Sequence, residues 1–387
     1  MRRILATTTL AVALASTVLV SACGAASSTT TTSAPRATLS TALTCAEQLV
    51  STWSNSQLAD ETVAVSMNAM NVGALAPAAR AGFGAYLLFG NRAPASLAPI
   101  LRTLQRERAD GATTLVMTDA EGGGVERLRN VLAPLPWAKT MGKNLSDAQI
   151  TAEGARLGRS MLGEGLNVDL APVADLDARA VVPSAIDADG LRAFGDVPAT
   201  VSGDVVAFEN GLESVGVLGT IKHFPGLGGA SMNTDYGPAH TLNWSTLRSS
   251  ALVPYRAALA RTNAMVMVSN ASVPGLTPLP ASVSPVVLNY LRSTMHYGGL
   301  IMTDSLSAGA LSARHLSVSA ASVDALIAGA DLVLAGNPTS PAAALAQANA
   351  TANAIVGALA TSTLSRATLQ LAAAHVVAAR SSLSCAR

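Results

Sequence analysis

The feature that most constrains the fold is a repeated alternation of short apolar runs with helix-patterned sequence. The runs are AYLLF (85–89), TLVMTD (114–119), NVDLAPV (167–173), GVLGTIKHF (216–224), AMVMVSN (264–270), GLIMTDS (299–305) and ADLVLAG (330–336), with VAVSMNAM (63–70) as a weaker eighth. Their hydrophobicity is nearly continuous, the pattern of strands buried on both faces. Between them lie helical spacings such as ITAEGARLGRSMLGEG (150–165). Strand–helix alternation repeated seven or eight times predicts a parallel α/β fold, most simply a single-domain (β/α)8 TIM-like barrel. A doubly wound open sheet is the other solution, but no Gly-x-Gly-x-x-Gly follows the first strand. A chain of 387 residues, half of them hydrophobic, is long enough to fill such a core.

Several predicted strands end in, or are closely followed by, a polar or ionisable residue: Asp119, Asp175, His223, Asn270, Asp304 and Asn337. In a parallel barrel these ends ring one mouth, where side chains from separate strands converge. A turn or helix cap is the competing explanation for any one of them, as an N-cap is for Asp304 ahead of SLSAGAL. The stretch KHFPGLGGASMNTD (222–235) weighs against caps alone. The chain has three lysines and five histidines, yet it sets Lys222 beside His223 before a glycine-rich loop. Gly226, Gly228 and Gly229 predict either a segment that moves or a set of tight turns needing positive φ.

Composition removes several function classes. Only 13% of residues are charged, the net charge is +1 and no Lys/Arg cluster occurs, which argues against a nucleic-acid surface or a polybasic membrane patch. The histidines are scattered and no Cys/His cluster appears, so neither a metal site nor a cofactor is expected. Arg2-Arg3, the apolar run that follows and SAC read as a secretory signal over 1–22. VSAC resembles a bacterial lipobox, with Cys23 as the lipid-modified first residue; an uncleaved signal anchor is the alternative. Acyl chains on Cys23, each buried methylene contributing roughly 0.8 kcal/mol, would hold the protein on the extracytoplasmic face of the cell membrane without a spanning helix. Residues 23–44, rich in Ser, Thr and Ala, predict a flexible tether, and 45–387 the folded domain. In an oxidising compartment Cys45 and Cys385, at the two ends of that domain, are expected to form a disulfide; two free thiols are the alternative.

VMTDAEGGGVERL (116–128), GLNVDLAPVADLD (165–177), LRAFGD (191–196), IKHFPGLG (221–228) and GLIMTDSL (299–306) together resemble glycoside hydrolase family 3, in its single-domain β-N-acetylglucosaminidase branch. The resemblance covers roughly residues 60 to 340 with the motifs in the same order, and the lipobox and KHFPGLG bring it nearest to actinobacterial lipoprotein members. It implies a retaining exo-enzyme that removes β-linked N-acetylglucosamine, with peptidoglycan fragments as substrate and Asp304 as the nucleophile that traps the anomeric carbon. It also assigns Asp119, Arg127, Arg192, Lys222 and His223 to gripping the sugar hydroxyls and the N-acetyl group. A carboxylate with cationic donors suits a polyol, whose hydroxyls both donate and accept. The alternatives are rim salt bridges for the two arginines and a satisfied core histidine for His223.

The general acid is where the chain departs from the family pattern. Four residues after Gly228 the family has Asp-[Ser/Thr]-His, whose His donates the proton; here the sequence reads Asn233-Thr234-Asp235. Either Asp235 is itself the acid/base, its carboxyl raised by burial and by Asp304, or His240 replaces it, or the chain lacks an acid and only binds sugar. A carboxylate base would repel phosphate, so the first reading predicts hydrolysis rather than phosphorolysis. A β-glucosidase specificity is a further alternative within the family.

Overall fold

The computed structural model describes residues 35–108 and 112–380. Eight parallel strands fall inside the eight runs: β1 Val63–Asn68, β2 Ala85–Phe89, β3 Leu115–Thr118, β4 Val168–Asp169, β5 Thr220–Phe224, β6 Met265–Val268, β7 Ile301–Thr303 and β8 Val333–Leu334. Each run is apolar throughout because its two faces meet two different cores. Ala85, Leu87, Leu115 and Met117 of β2 and β3 join an inner layer with Ala64, Leu170, Met267, Met302 and Leu334. Tyr86, Leu88 and Val116 pack the other way, against the helical shell. Side chains alternate along a strand. The inner series therefore runs from Leu115 and Met117 to Asp119, and from Leu300 and Met302 to Asp304, placing a carboxyl at the same end of each strand.

The expected barrel is one continuous sheet, whereas the hydrogen-bonded sheet is curled, parallel and divided in two. Strands β8-β1-β2-β3-β4 form one part and β5-β6-β7 the other. Isolated parallel bridges link the parts, Val168 with Leu218 and Val173 with Lys222 on one side, Met302 with Leu332 on the other. The interruptions have local causes. Pro172 follows β4 and has no N–H to give a ladder, though its carbonyl still accepts from Lys222 N at 3.3 Å. Between β7 and β8, Leu334 N donates to the side-chain hydroxyl of Thr303 at 3.0 Å instead of to a backbone oxygen.

The helices that matter most here are α1 Pro35–Val50, α2 Asp147–Glu164, α3 Pro198–Glu213, α4 Pro341–Ala360 and α5 Arg366–Ala379. Helix α1 corrects the boundary of the expected tether, because residues 35–44 are helical. Leu43, Ala46 and Val50 recur at helical spacing and bury one face against the core, alongside α5, which a free tether could not do. Residues 1–34, including the expected signal and Cys23, lie outside the described residues, as does Cys385. Cys45 is disulfide-bonded. No helix among the described residues is long and apolar enough to cross a membrane. Two buried ionic clusters tie α5 and the residue after it to the strand starts: His375 meets Asp331 at 2.8 Å, and Arg380 pairs with Glu61, which also binds Arg108 at 2.6 Å.

Candidate active site

At the C-terminal ends of the strands lies a cavity of about 520 Å³. Leu87, Leu170, Met267 and Leu334, the last inner layer, form its floor. Its walls bring together all seven residues expected from sequence for chemistry and sugar binding: Asp119, Arg127, Arg192, Lys222, His223, Asp235 and Asp304. They come from loops and strand ends separated by up to 185 positions in the chain (304 − 119), so only the parallel topology could assemble them.

The cationic side of the cavity is organised around a residue that the sequence reading passed over, Glu121. It takes Lys222 Nζ at 2.6 Å and both Nε and Nη2 of Arg192 at 2.7 and 2.8 Å. Lys222 also donates to Asp119 at 2.8 Å. Burial alone would raise the Glu121 carboxyl, but Arg192 and Lys222 override it and hold it well below the usual range. Burial works against the charge of Lys222 too, and Asp119 and Glu121 overcome it, so its pKa lies above that of an ordinary lysine. The result is an ionised cluster whose donors are fixed before any ligand arrives. Arg127 differs: its Nε is buried without a hydrogen-bond partner among the described residues, which leaves that donor unspent beside the cavity.

His223 is held from behind. Its Nδ1 lies 2.7 Å from Asp175 Oδ2, and Asp175 also accepts the backbone N–H of His223 at 3.1 Å and of Leu227 at 2.7 Å. Desolvation, with the Arg192 charge, pushes the imidazole down to about 4, so the ring is neutral at ordinary pH. A neutral ring that donates Nδ1–H to Asp175 turns the lone pair of Nε2 toward Arg192, 3.3 Å away. Burial, with the Asp175 charge, drives the Asp189 carboxyl well above the usual range, and Asp189 hydrogen-bonds Asp175. Asp175, Asp189 and His223 offer atoms within 4.8 Å of one another, a spacing that could hold a cation. Both oxygens of Asp175 and the histidine Nδ1 are already engaged in hydrogen bonds, so the donor set fits hydrogen bonding better than metal ligation.

Asp304 follows β7, and its own N–H donates to Val268 O at 2.9 Å. Its Oδ1 accepts the N–H of Ser305 at 2.6 Å. Burial raises its carboxyl, the His223 side opposes this and Asp235 adds to it. Asp235 sits at the exposed rim of the same cavity, and its carboxyl is also raised, first by desolvation and further by Asp119, against Arg192. Its loop is tied down: Gly309 N donates to Asp235 O and Ala310 N to Thr234 O, each at 3.0 Å. Asp235 N donates to the Asn233 side chain at 2.9 Å, and Asn233 N to Ala185 O, also at 2.9 Å. His240 does not line the cavity; it is exposed, with Nδ1 3.2 Å from the Thr241 carbonyl.

The glycines of the loop answer packing rather than freedom. A Cβ on Gly228 would stand 2.0 Å from the Leu176 carbonyl oxygen, and Gly226 adopts φ of +127° with Ala251 against it. The tight-turn reading of this stretch is therefore the one its geometry follows.

A sequence profile described as the glycosyl hydrolase family 3 N terminal domain matches residues 47–379. The chain is 37% identical over 228 residues to the β-hexosaminidase LpqI of Mycobacterium tuberculosis, an alignment covering 57% of each protein. Among solved structures, a family 3 glycosyl hydrolase from Mycobacterium smegmatis superimposes with a TM-score of 0.77 at 30% identity, covering 87% of this chain and 99% of that one. A β-N-acetylhexosaminidase from Beutenbergia cavernae gives 0.74 at 29% identity, covering 85% and 98%.

Proposed function

Because this chain belongs to glycosyl hydrolase family 3, we propose that it is a retaining exo-β-N-acetylglucosaminidase that hydrolyses terminal β-linked N-acetylglucosamine through a covalent intermediate on Asp304. The observation that carries this reading is the convergence of Asp304 and Asp235, two carboxyls both raised, in one cavity with a preformed ionic grip. The names of similar proteins, a β-hexosaminidase and a β-N-acetylhexosaminidase, support the hexosamine substrate.

The chemistry divides between the two carboxyls. Asp304, with one oxygen pinned by the Ser305 amide, presents the other to the anomeric carbon. Asp235, its carboxyl raised by desolvation, gives its proton to the leaving oxygen as the bond to C1 breaks. The ionised Asp235 then takes a proton from water, which attacks C1 and releases Asp304. Phosphate would meet that carboxylate as a like charge, so water is the acceptor. Lys222, Arg192, Asp119 and Arg127 receive the sugar hydroxyls, and neutral His223, whose Nε2 faces Arg192, holds that guanidinium in place.

In the same reading, the isolated bridges close the two sheets into one eight-stranded (β/α)8 ring. Cys45 pairs with Cys385, Cys23 carries the lipid that keeps the domain on the outer face of the cell membrane, and peptidoglycan fragments are the source of the sugar. Paired assays with an aryl β-N-acetylglucosaminide and an aryl β-glucoside test the activity. We expect turnover of the first, abolished by Asp304→Ala, and free sugar rather than sugar phosphate in phosphate buffer. Preference for the glucoside would make the protein a β-glucosidase, and binding without any cleavage would make it a silent sugar-binding protein.

A further inference from the structure

Three pieces of chain meet at one buried carboxyl, that of Asp175 in the segment after β4. Its Oδ2 accepts two N–H groups of His223, the backbone N–H at 3.1 Å and the ring Nδ1–H at 2.7 Å, and its Oδ1 accepts the N–H of Leu227 at 2.7 Å. Asp189, from the segment 188–192, hydrogen-bonds it as well. The same segment presents Arg192, whose backbone N–H donates to Asp189 O at 2.9 Å and whose Nη1 donates to Ala188 O at 2.8 Å. Asp175 and Asp189 are 0% and 2% exposed, and neither lines the catalytic cavity, so neither touches the sugar.

The donors around Asp175 decide the form of each group. Three N–H groups point at it, on both of its oxygens, so both must accept, which a carboxylate does and an amide does not. Two carboxyls hydrogen-bond when one of them keeps a proton, and with Asp175 surrounded by donors that proton belongs to Asp189; the raised Asp189 carboxyl agrees. An asparagine at 175 would turn its NH2 against the Leu227 N–H in one orientation and against the His223 N–H groups in the other. Two working parts depend on these contacts. With Nδ1–H given to Asp175, Nε2 keeps its lone pair for Arg192 Nη2, 3.3 Å away, whereas the other tautomer would set N–H against N–H there. Leu227 opens the loop that carries Asp235, and Gly228 beside it packs on the Leu176 carbonyl, one residue from Asp175.

We infer that Asp175 and Asp189 are positioning residues: the Asp189 proton holds Asp175, and Asp175 fixes both the His223 tautomer that steadies Arg192 and the start of the loop that carries Asp235. This rests on the sugar-cleaving reading for what Arg192 and Asp235 do, but the tautomer is read without turnover. In nitrogen NMR of the full chain, isotope-labelled at its histidines, the signals missing from His223→Gln are expected to show the neutral Nδ1–H form at neutral pH, and Asp175→Ala to lose that single-tautomer pattern. In steady-state kinetics on an aryl N-acetylglucosaminide, Asp175→Asn, isosteric but one acceptor short, is expected to lower kcat/KM about a hundredfold, the scale of a misplacement of about 1 Å. Asp189→Asn still donates to Asp175, so it should lose at least about tenfold less than Asp189→Leu, the scale of one hydrogen bond to a charged group. An Nε2–H tautomer in the parent overturns the proposal, as do an Asp175→Asn variant within about twofold of the parent and equal losses in the two Asp189 variants. If the parent cleaves no aryl N-acetylglucosaminide while His223 shows Nδ1–H and loses it in Asp175→Ala, the catalytic reading fails and the positioning role stands.

Discussion

At the scale of single residues, the site depends on Glu121 more than on any of the groups that would touch sugar. Among the described residues it bridges Lys222 and Arg192; Glu121 and Lys222 are buried and Arg192 is mostly so. Glu121→Gln would leave two cations with half of their compensation, and breaking a buried pair in this way costs about 3–5 kcal/mol. We expect a fall in kcat/KM of at least about a hundredfold, with KM rising more than kcat falls, read in steady-state kinetics on an aryl N-acetylglucosaminide. The two carboxyls set the pH profile. In the proposed mechanism Asp304 must be ionised to attack and Asp235 protonated to donate, and both are raised above ordinary carboxylates. The acid limb of kcat/KM therefore lies above the usual aspartate range, and activity falls again as pH rises through the Asp235 value. Asp235→Ala should erase the alkaline limb on a substrate with an activated leaving group, whereas a limb that survives the substitution would assign it to another residue. Asp119, His223 and Asp304 stand out in the sequence because each lies at the end of an apolar run, and Lys222 because the chain has only three lysines. Glu121 was hidden because its role arises from cations 71 and 101 positions away (192 − 121 and 222 − 121), a relation that no local spacing records.

At the scale of elements, strand alternation does most of the placing. An inner series that is apolar for two steps and then carboxylic delivers Asp119 and Asp304 to the same mouth with no special loop geometry. All eight strands could be read from the sequence because burial on both faces leaves a continuous apolar signal. The division into two sheets could not, since it turns on one hydroxyl of Thr303 and one missing amide at Pro172. Glycine was equally ambiguous in sequence, where freedom and close approach look alike. Gly228→Ala separates them: the added methyl would lie 2.0 Å from a carbonyl oxygen, so the loop carrying Asp235 must shift. We expect a loss of kcat of at least about tenfold with the far-ultraviolet circular dichroism retained. Unchanged kcat would mean that the loop adapts and that its position is not fixed by this contact.

At the scale of the whole molecule, the two chain ends of the folded part are fastened together. Helix α1 packs against α5, Cys45 is disulfide-bonded, and the Glu61–Arg380 pair joins the segment before β1 to the end of α5. A bridge from Cys45 to Cys385 would close a loop of about 340 residues, worth roughly 6 kcal/mol in the chain-entropy account. Cys45→Ser should lower the melting temperature and leave kcat nearly unchanged, because Cys45 does not line the cavity. A melting temperature equal to that of the parent would remove the bridge from the account of stability. The central claim is the division of labour between Asp304 and Asp235, and azide tests it most directly. With Asp235→Ala and an activated aryl N-acetylglucosaminide, added azide should restore turnover and yield the β-glycosyl azide, because a covalent Asp304 adduct is attacked from the face opposite to the carboxylate. An α-azide, or no rescue in a variant that still binds the sugar, would contradict it.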